Sequence, residues 1–298
     1  MASITVVGSI NADLFVLVDR HPLPGETLLG RDGGISAGGK GANQAVAAAN
    51  LGAVVRMIGA VGTDAYTEPA LEHLRSSGAD LSSLGVVEGS TGLAVITVSD
   101  DGENTIIVIG GANSAVDGSF VADRREAVER ADIVLLQGEI PVSGFSQAVH
   151  LATGRVVVNL APVVDVPAAD LLRADPLVAN EHEAGLILTQ LGAPTVPRSE
   201  EEMALALREL GFASVVLTRG ARGAVVAEGD AVTPIPTPAV EAVDSTGAGD
   251  AFVGGLVHRL AEGDPLVSAA TYAARVGAFA ATRRGAQASY PTSADVLP

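Results

Sequence analysis

The stretch Asp244-Ser-Thr-Gly-Ala-Gly-Asp250-Ala-Phe252 sets one carboxylate, Asp250, at the start of a helix among some of the smallest residues of the chain. Small residues leading into an apolar run mark the start of a helix, whose first N–H groups lack partners and carry partial positive charge. Gly247, Ala248 and Gly249 have no side chain large enough to keep an anion away from those groups. A negative charge within the same turn opposes anion binding, so Asp250 makes chemical sense as a general base. It would take the proton of an attacking hydroxyl while the backbone N–H groups hold the charge developing on a transferred phosphoryl group. The plain alternative is a capped helix with a solvated aspartate, and an isolated Gly-x-Gly-Asp supports nothing more. The rest of the chain decides between them.

Further polar residues fall where apolar, β-rich runs end. Gly8-Ser-Ile-Asn11-Ala-Asp13 follows Ile4–Val7, and Gln137-Gly-Glu139 follows Ile133–Leu136. Asn180-Glu-His-Glu183 follows Leu177–Ala179, and Thr218-Arg-Gly-Ala-Arg-Gly223 closes the run Val215–Thr218. Parallel α/β sheets bind ligands outside the carboxyl ends of their strands. The acceptors and carboxamide of Asn11, Asp13 and Glu139 suit a polyhydroxylated ligand, although each taken singly fits a turn or a helix cap.

The elements that must position these groups alternate between strand and helix. Core strands are expected at Ile4–Val7, Val54–Ile58, Ile133–Leu136, Val156–Asn159, Leu177–Ala179, Val215–Thr218 and Ala224–Ala227. Helices are expected at Gly41–Leu51, Pro69–Ser76, Phe120–Arg130, Ser143–Leu151, Glu201–Leu210, Ala248–Ala261 and Pro265–Ala281. That alternation predicts an α/β fold with a core sheet covered by helices on both faces. Asp13–Ser36 and Thr91–Val108 break it, the second with a hairpin signal at Asp100-Asp101-Gly102, so they are expected to build a small β-sheet standing off the core. With no linker or repeat in view, residues 1–298 read as one domain, with lid strands from about 13–36 and 91–108.

Composition narrows the class. The 298 residues, 29.8 kDa, suffice for a sizeable core. Without cysteine there is no disulfide framework, thiolate metal site or cysteine nucleophile, which is compatible with a reducing cytoplasm. A net charge of −17, with Lys40 as the only lysine, argues against a nucleic-acid or anionic-membrane surface. A phosphorylated ligand must then be held by local donors. The first twenty residues carry Asn11 and Asp13 and lack a basic leader, so they read as a strand and not a signal peptide. No apolar run is long enough to span a membrane.

Three other patterns are weaker. Gly34-Ile-Ser-Ala-Gly-Gly39-Lys40 begins like a P-loop, but Gly41 stands where a magnesium-binding serine or threonine belongs. Gly34-Ile-Ser36-Ala-Gly38 matches a nucleophile elbow without a convincing strand before it, and a Gly/Ser turn leading into a helix fits better. The five histidines show no metal-ligand spacing, and His182 reads as a surface residue.

Gly38-Gly-Lys-Gly-Ala-Asn-Gln-Ala-Val-Ala-Ala48 and Asp244–Phe252 together resemble the two signatures of the ribokinase-like (PfkB) carbohydrate kinases. Gly8–Asp13, Pro24-Gly-Glu-Thr27, Gly102-Glu-Asn-Thr105, Gly111-Ala-Asn113, Asn180–Glu183 and Gly285-Ala-Gln287 follow in the family's order, so the resemblance covers nearly the whole chain. It implies a three-layer core with a β lid that also forms a homodimer contact. The implied activity is magnesium- and ATP-dependent phosphorylation of the 5-hydroxyl of D-ribose. A relative acting on deoxyribose, fructose or a nucleoside is the alternative; from a different class comes a non-catalytic sugar- or nucleotide-binding regulator, against which the intact Asp250 and glycines speak. By resemblance the sugar is held by Asn11, Asp13, Gly39, Lys40, Asn43 and Glu139, with Asp250 as base and Gly247, Ala248 and Gly249 as anion hole. ATP lies along Thr218, Arg219, Gly220, Ala221, Arg222 and Gly223, touching Gly249, with Asn180 near its phosphates and Glu183 on magnesium through water. Potassium is implied at the Asp244 side chain, the carbonyls of Thr246, Ala280, Arg283 and Gly285, and Ser289. Two departures stand out. Ala274 replaces the asparagine or histidine that relatives place against adenine, and Gly138 replaces a leucine, which is expected to enlarge the sugar pocket.

Overall fold

The computed structural model describes residues 2–298. Eight strands form the main sheet. From one edge to the other they are β14 (Ala231–Ile235), β13 (Ala224–Glu228), β12 (Ser214–Thr218), β11 (Leu177–Asn180), β10 (Arg155–Asn159), β9 (Ile133–Gln137), β1 (Ser3–Val7) and β4 (Val54–Ile58). The run from β12 to β4 is parallel, and β13 and β14 add an antiparallel edge. Central strands read as unbroken apolar runs because both faces are covered. In β9, Ile133 and Leu135 join one core while Val134 and Leu136 join the other. One face is packed by α1 (Lys40–Asn50), α2 (Thr67–Ser76), α9 (Ala248–Ala261) and α10 (Leu266–Ala281); the other carries α5 (Val142–Leu151), α7 (Glu181–Gln190) and α8 (Glu200–Glu209). Short helices α3 (Gly118–Ala122), α4 (Arg125–Glu129) and α6 (Ala168–Leu171) and the two-stranded pair β5 (Ala60–Val61) and β6 (Gly85–Val86) complete that framework.

The chain leaves β1 toward β4 but continues from β9 toward β10 on the other side, which makes the β1/β9 boundary the switch point where such sheets open a crevice. A second sheet stands next to it, in the order β3 (Arg31–Gly38), β2 (Asn11–Val18), β7 (Gly92–Ser99) and β8 (Asn104–Ile109). The β7–β8 pair is antiparallel across the Asp100-Asp101-Gly102 turn.

Some local expectations are corrected. Gly34–Gly38 belongs to β3 and pairs with β2, so it is a strand and not a Gly/Ser turn before α1. The single helix expected at Phe120–Arg130 breaks into α3 and α4 because Arg124 leaves helical geometry, at φ −111° and ψ 20°. Apart from the short β5, β6 and α6, two elements lie outside the expected set. β14 has only moderate alternation and contains Pro234, which an edge strand tolerates because one side needs no ladder bond. α7 was signalled by Asn180-x-x-Glu183, a capping box: Asn180 Oδ1 accepts from Glu183 N at 2.8 Å and Glu183 Oε2 from Asn180 N at 2.9 Å.

Candidate active site

Two helix starts meet at the crevice. Gly39 caps α1 at φ 86°, and an added Cβ there would lie 2.7 Å from the Asn11 nitrogen. Gly247 caps α9 in the left-handed region at φ 70°, where an added Cβ would lie 2.6 Å from Tyr290 Oη. Glycine is needed at both for conformation and space. About two turns into each helix, Gly254 lets α9 approach α1 so closely that a Cβ would meet Ala47 Cβ at 2.4 Å. That contact sets Asp250 of α9 opposite Asn43 and Gln44 of α1. Asp250 is buried, with Oδ2 accepting from Asn43 Nδ2 and Oδ1 from Gln44 Nε2, both at 2.8 Å.

Asp250, Lys40, Gly247, Gly249, Asn180 and Glu183 line one 160 Å³ pocket. Lys40 has its pKa raised, first by the charge of Asp250, which outweighs the opposing effect of burial, and further by Glu139 and Glu183. Among the described residues, the N–H groups of Gly247, Gly249 and Asp250 have no acceptor. The Ala248 N–H, expected in the same cradle, instead donates to the Ser245 carbonyl at 3.1 Å. The donors left free in this turn are thus the Gly247, Gly249 and Asp250 nitrogens, because the first-turn geometry folds the Ala248 N–H back onto Ser245.

On the sugar side as read from the sequence, Glu139 accepts from Ser9 Oγ and from the Lys40 backbone N–H at 3.0 Å. Ser9 was overlooked; its place after β1, opposite the end of β9, was the available signal. Buried Asn11 accepts through Oδ1 from Asn113 Nδ2 at 2.7 Å. Asp13 lies on β2 against Gly38, where a Cβ would be 2.2 Å from the carboxylate. Burial, then the charges of Glu139 and Asp250, push the Asp13 carboxyl up to about 7. Gly138 does not enlarge this pocket: its missing Cβ makes room for the Pro162 carbonyl, which would lie 1.9 Å away.

A 470 Å³ apolar cavity adjoins the first pocket, sharing Thr218 and Gly249 with it. Gly220, Ala221, Gly223 and Ala274 line it, as do Phe252, at the end of the Asp244–Phe252 motif, and Val240, which no sequence pattern marked. The two arginines of the Thr218–Gly223 segment are absent from this lining. Arg219 donates to Glu201 at 2.7 Å and Arg222 pairs with Glu200, so α8 already neutralises both guanidinium groups. Any ligand in the cavity meets the loop's backbone and small side chains.

Asp244 ties the α9 entry to the segment after α10. Its Oδ1 accepts from Thr246 N and its Oδ2 from Gly285 N, both at 2.9 Å. Burial raises its pKa, but these donors outweigh it and the net shift is downward. Ala280 O accepts from Arg283 N at 3.1 Å, and buried Ser289 Oγ donates to Ala286 O at 2.7 Å. His182 is exposed, and no group of three His, Cys, Asp or Glu among the described residues could hold a metal by itself. No helix among them is long and apolar enough to cross a membrane.

The chain also resembles known proteins along its length. The model of the pfkB family carbohydrate kinases matches residues 1–293. A ribokinase of Schizosaccharomyces pombe is 34% identical over 308 residues, covering 99% of this chain and 97% of the relative. The crystal structure of a Thermotoga maritima ribokinase superposes with a TM-score of 0.91 at 31% identity, covering 98% and 97% of the two chains. An Arabidopsis thaliana ribokinase complexed with ribose and ATP gives 0.88 at 33% identity, covering 98% and 97%. A buried carboxylate at a glycine-rich helix start, an apolar cavity beside it and this full-length agreement point the same way: the chain belongs to the pfkB family of carbohydrate kinases.

Proposed function

We propose that this kinase transfers the γ-phosphoryl group of ATP to the 5-hydroxyl of D-ribose, giving D-ribose 5-phosphate and ADP, directly and without a covalent enzyme intermediate. The observation that carries the reading is the position of Asp250, which lines the junction pocket within electrostatic reach of Asp13 and beside Gly249, where the apolar cavity begins. In this reading Asn11, Asp13, Asn43 and Glu139 bind the sugar, with Gly39 and Lys40 closing round it. Asp250 removes the 5-hydroxyl proton, and the free N–H groups of the α9 turn, with Lys40, hold the transferred group. ATP lies along Thr218–Gly223 with its base in the 470 Å³ cavity against Ala274, whose methyl group offers adenine no hydrogen bond. The ribokinases matched above, one of them complexed with ribose and ATP, support the substrate pair.

Two ions belong to the proposal. Magnesium would neutralise phosphate charge; Glu183 fits it through water, since the capping box engages only Oε2. Potassium would strengthen the positive field of the α9 turn. Asp244, the Thr246, Ala280, Arg283 and Gly285 carbonyls and Ser289 would supply oxygen donors with one formal charge, suited to a hard monovalent cation, and the Asp244–Gly285 bond supports this by tying the two segments together. ATP consumption should be measured over ribose, 2-deoxyribose, fructose and a nucleoside, in potassium and in sodium at one ionic strength. Ribose in potassium should be fastest. A faster competitor sugar would move the substrate assignment, and equal rates in both salts would remove the cation site. A cytoplasmic location completes the reading.

The homodimer belongs here too. Ile106, Ile107, Val108 and Ile109 on edge strand β8 are 48 to 67% exposed, an open apolar edge of the kind that pairing with another copy covers. Sedimentation velocity should give the mass of two chains, and Ile107→Asp should shift it to one. A wild-type monomer at micromolar concentration would reject the contact.

A further inference from the structure

Behind Asp250 lies a buried chain of five amides drawn from four segments. Gln44 Nε2 donates both to Asp250 Oδ1 at 2.8 Å and to Asn159 Oδ1 at 2.9 Å. Gln44 Oε1 accepts from Gln137 Nε2 at 2.7 Å, and Asn159 Nδ2 donates to the Val178 carbonyl at 3.1 Å. On the other side, Asn43 donates to Asp250 while its Oδ1 accepts from Gln287 Nε2 at 2.9 Å. All five amides are nearly inaccessible to water, and Gln44 and Gln137 completely so.

We infer that Gln44 is the positioning residue of the phosphoryl-transfer base, with the Val178 carbonyl and Asn159 dictating which way its amide points. This rests on Asp250 being that base. A backbone carbonyl can only accept, so Asn159 must turn its NH₂ toward Val178 and its oxygen toward Gln44. Gln44 must therefore present its own NH₂ at that point, and the second hydrogen of that group is the one aimed at Asp250. Turned by 180°, Gln44 would set an oxygen against two acceptors, which a buried site disfavours strongly. The amide order is thus determined by the sheet backbone, not by freely rotating side chains. Asp250 cannot swing either, because Asn43 holds its other oxygen from the same helix. Each oxygen keeps a further lone pair, so the carboxylate is oriented by neutral donors and remains able to take a proton.

Gln44→Met keeps length and apolar volume and deletes the donor. Its turnover should fall by about 10²-fold, the effect of a displaced reacting group, with both Michaelis constants near wild type. In an Asp250→Asn background the same substitution should change turnover little, because no base remains to be aligned. Gln44→Glu, with acceptors facing Asp250 and Asn159, should be worse than Gln44→Met. Unchanged turnover in Gln44→Met, or an equal loss in both backgrounds, would overturn the proposal. Should Gln44→Met fail to fold, Asn159→Leu carries the test: it frees the Gln44 amide, and unaltered turnover there would also overturn it. Normal turnover in Asp250→Asn alone would instead reject the base, a separate outcome.

Discussion

Asp250→Asn is expected to lower turnover by about 10²–10⁴-fold while ribose still binds, because a general base acts mainly in the transition state. The substitution is isosteric but not neutral for the site. Both carboxylate oxygens accept N–H donors, from Asn43 and from Gln44. Asparagine can satisfy only one of them and sets its own NH₂ against the other. Since the Gln44 amide is held in one orientation, the conflict cannot be relieved by a flip on that side, and the variant should be less stable by roughly 1–3 kcal/mol, the cost of an unmatched buried polar group. Turnover, ribose binding by calorimetry and thermal unfolding measured together separate the two effects. Near-normal turnover in a folded variant would sink the base assignment.

Asp13→Ala should cost the enzyme most of its preference for ribose over 2-deoxyribose, a difference of roughly 1–3 kcal/mol in kcat/KM arising when a site acceptor is left without its hydroxyl. The pH dependence should move with it. Burial and the neighbouring Glu139 and Asp250 charges raise the Asp13 carboxyl to about 7, so the free enzyme holds a proton there below that pH. If the ionised form is the one that accepts sugar hydroxyls, kcat/KM for ribose should rise as pH increases through about 7 and level off above it. Asp13→Asn should flatten that limb, having no proton to lose. Rates across pH 6 to 8, with both sugars, check both parts; an Asp13→Ala enzyme that keeps the full ribose preference would move sugar recognition to Asn11 and Glu139.

Much of the fold was readable because apolar periodicity and helix starts are local properties. Seven core strands and six of the seven expected helices lie where runs such as Ile133–Leu136 and the glycine-rich start at Gly247 placed them. Helix α7 announced itself through Asn180 and Glu183, but those residues also suggest ligand chemistry, and that reading obscured the cap. The α3–α4 break was not readable, since nothing in Phe120–Arg130 forbids a continuous helix.

Taken alone, the residues determined which groups could do chemistry. A carboxylate in a turn of glycines, a lone lysine and polar residues at strand ends follow from residue type and spacing, which are written in the chain. Only the tertiary structure decided how they are used. Gly254 permits α1 and α9 to touch, and that contact alone brings Asn43 and Gln44, some 200 residues earlier, onto Asp250. Arg219 and Arg222, two cations of the Thr218–Gly223 segment, meet Glu201 and Glu200 of α8, and Gly138 makes room for the Pro162 carbonyl. The reason is common to all three. A side chain's type sets what bonds it can form, but which partner it meets depends on packing between segments far apart in the chain, and no local pattern encodes that meeting.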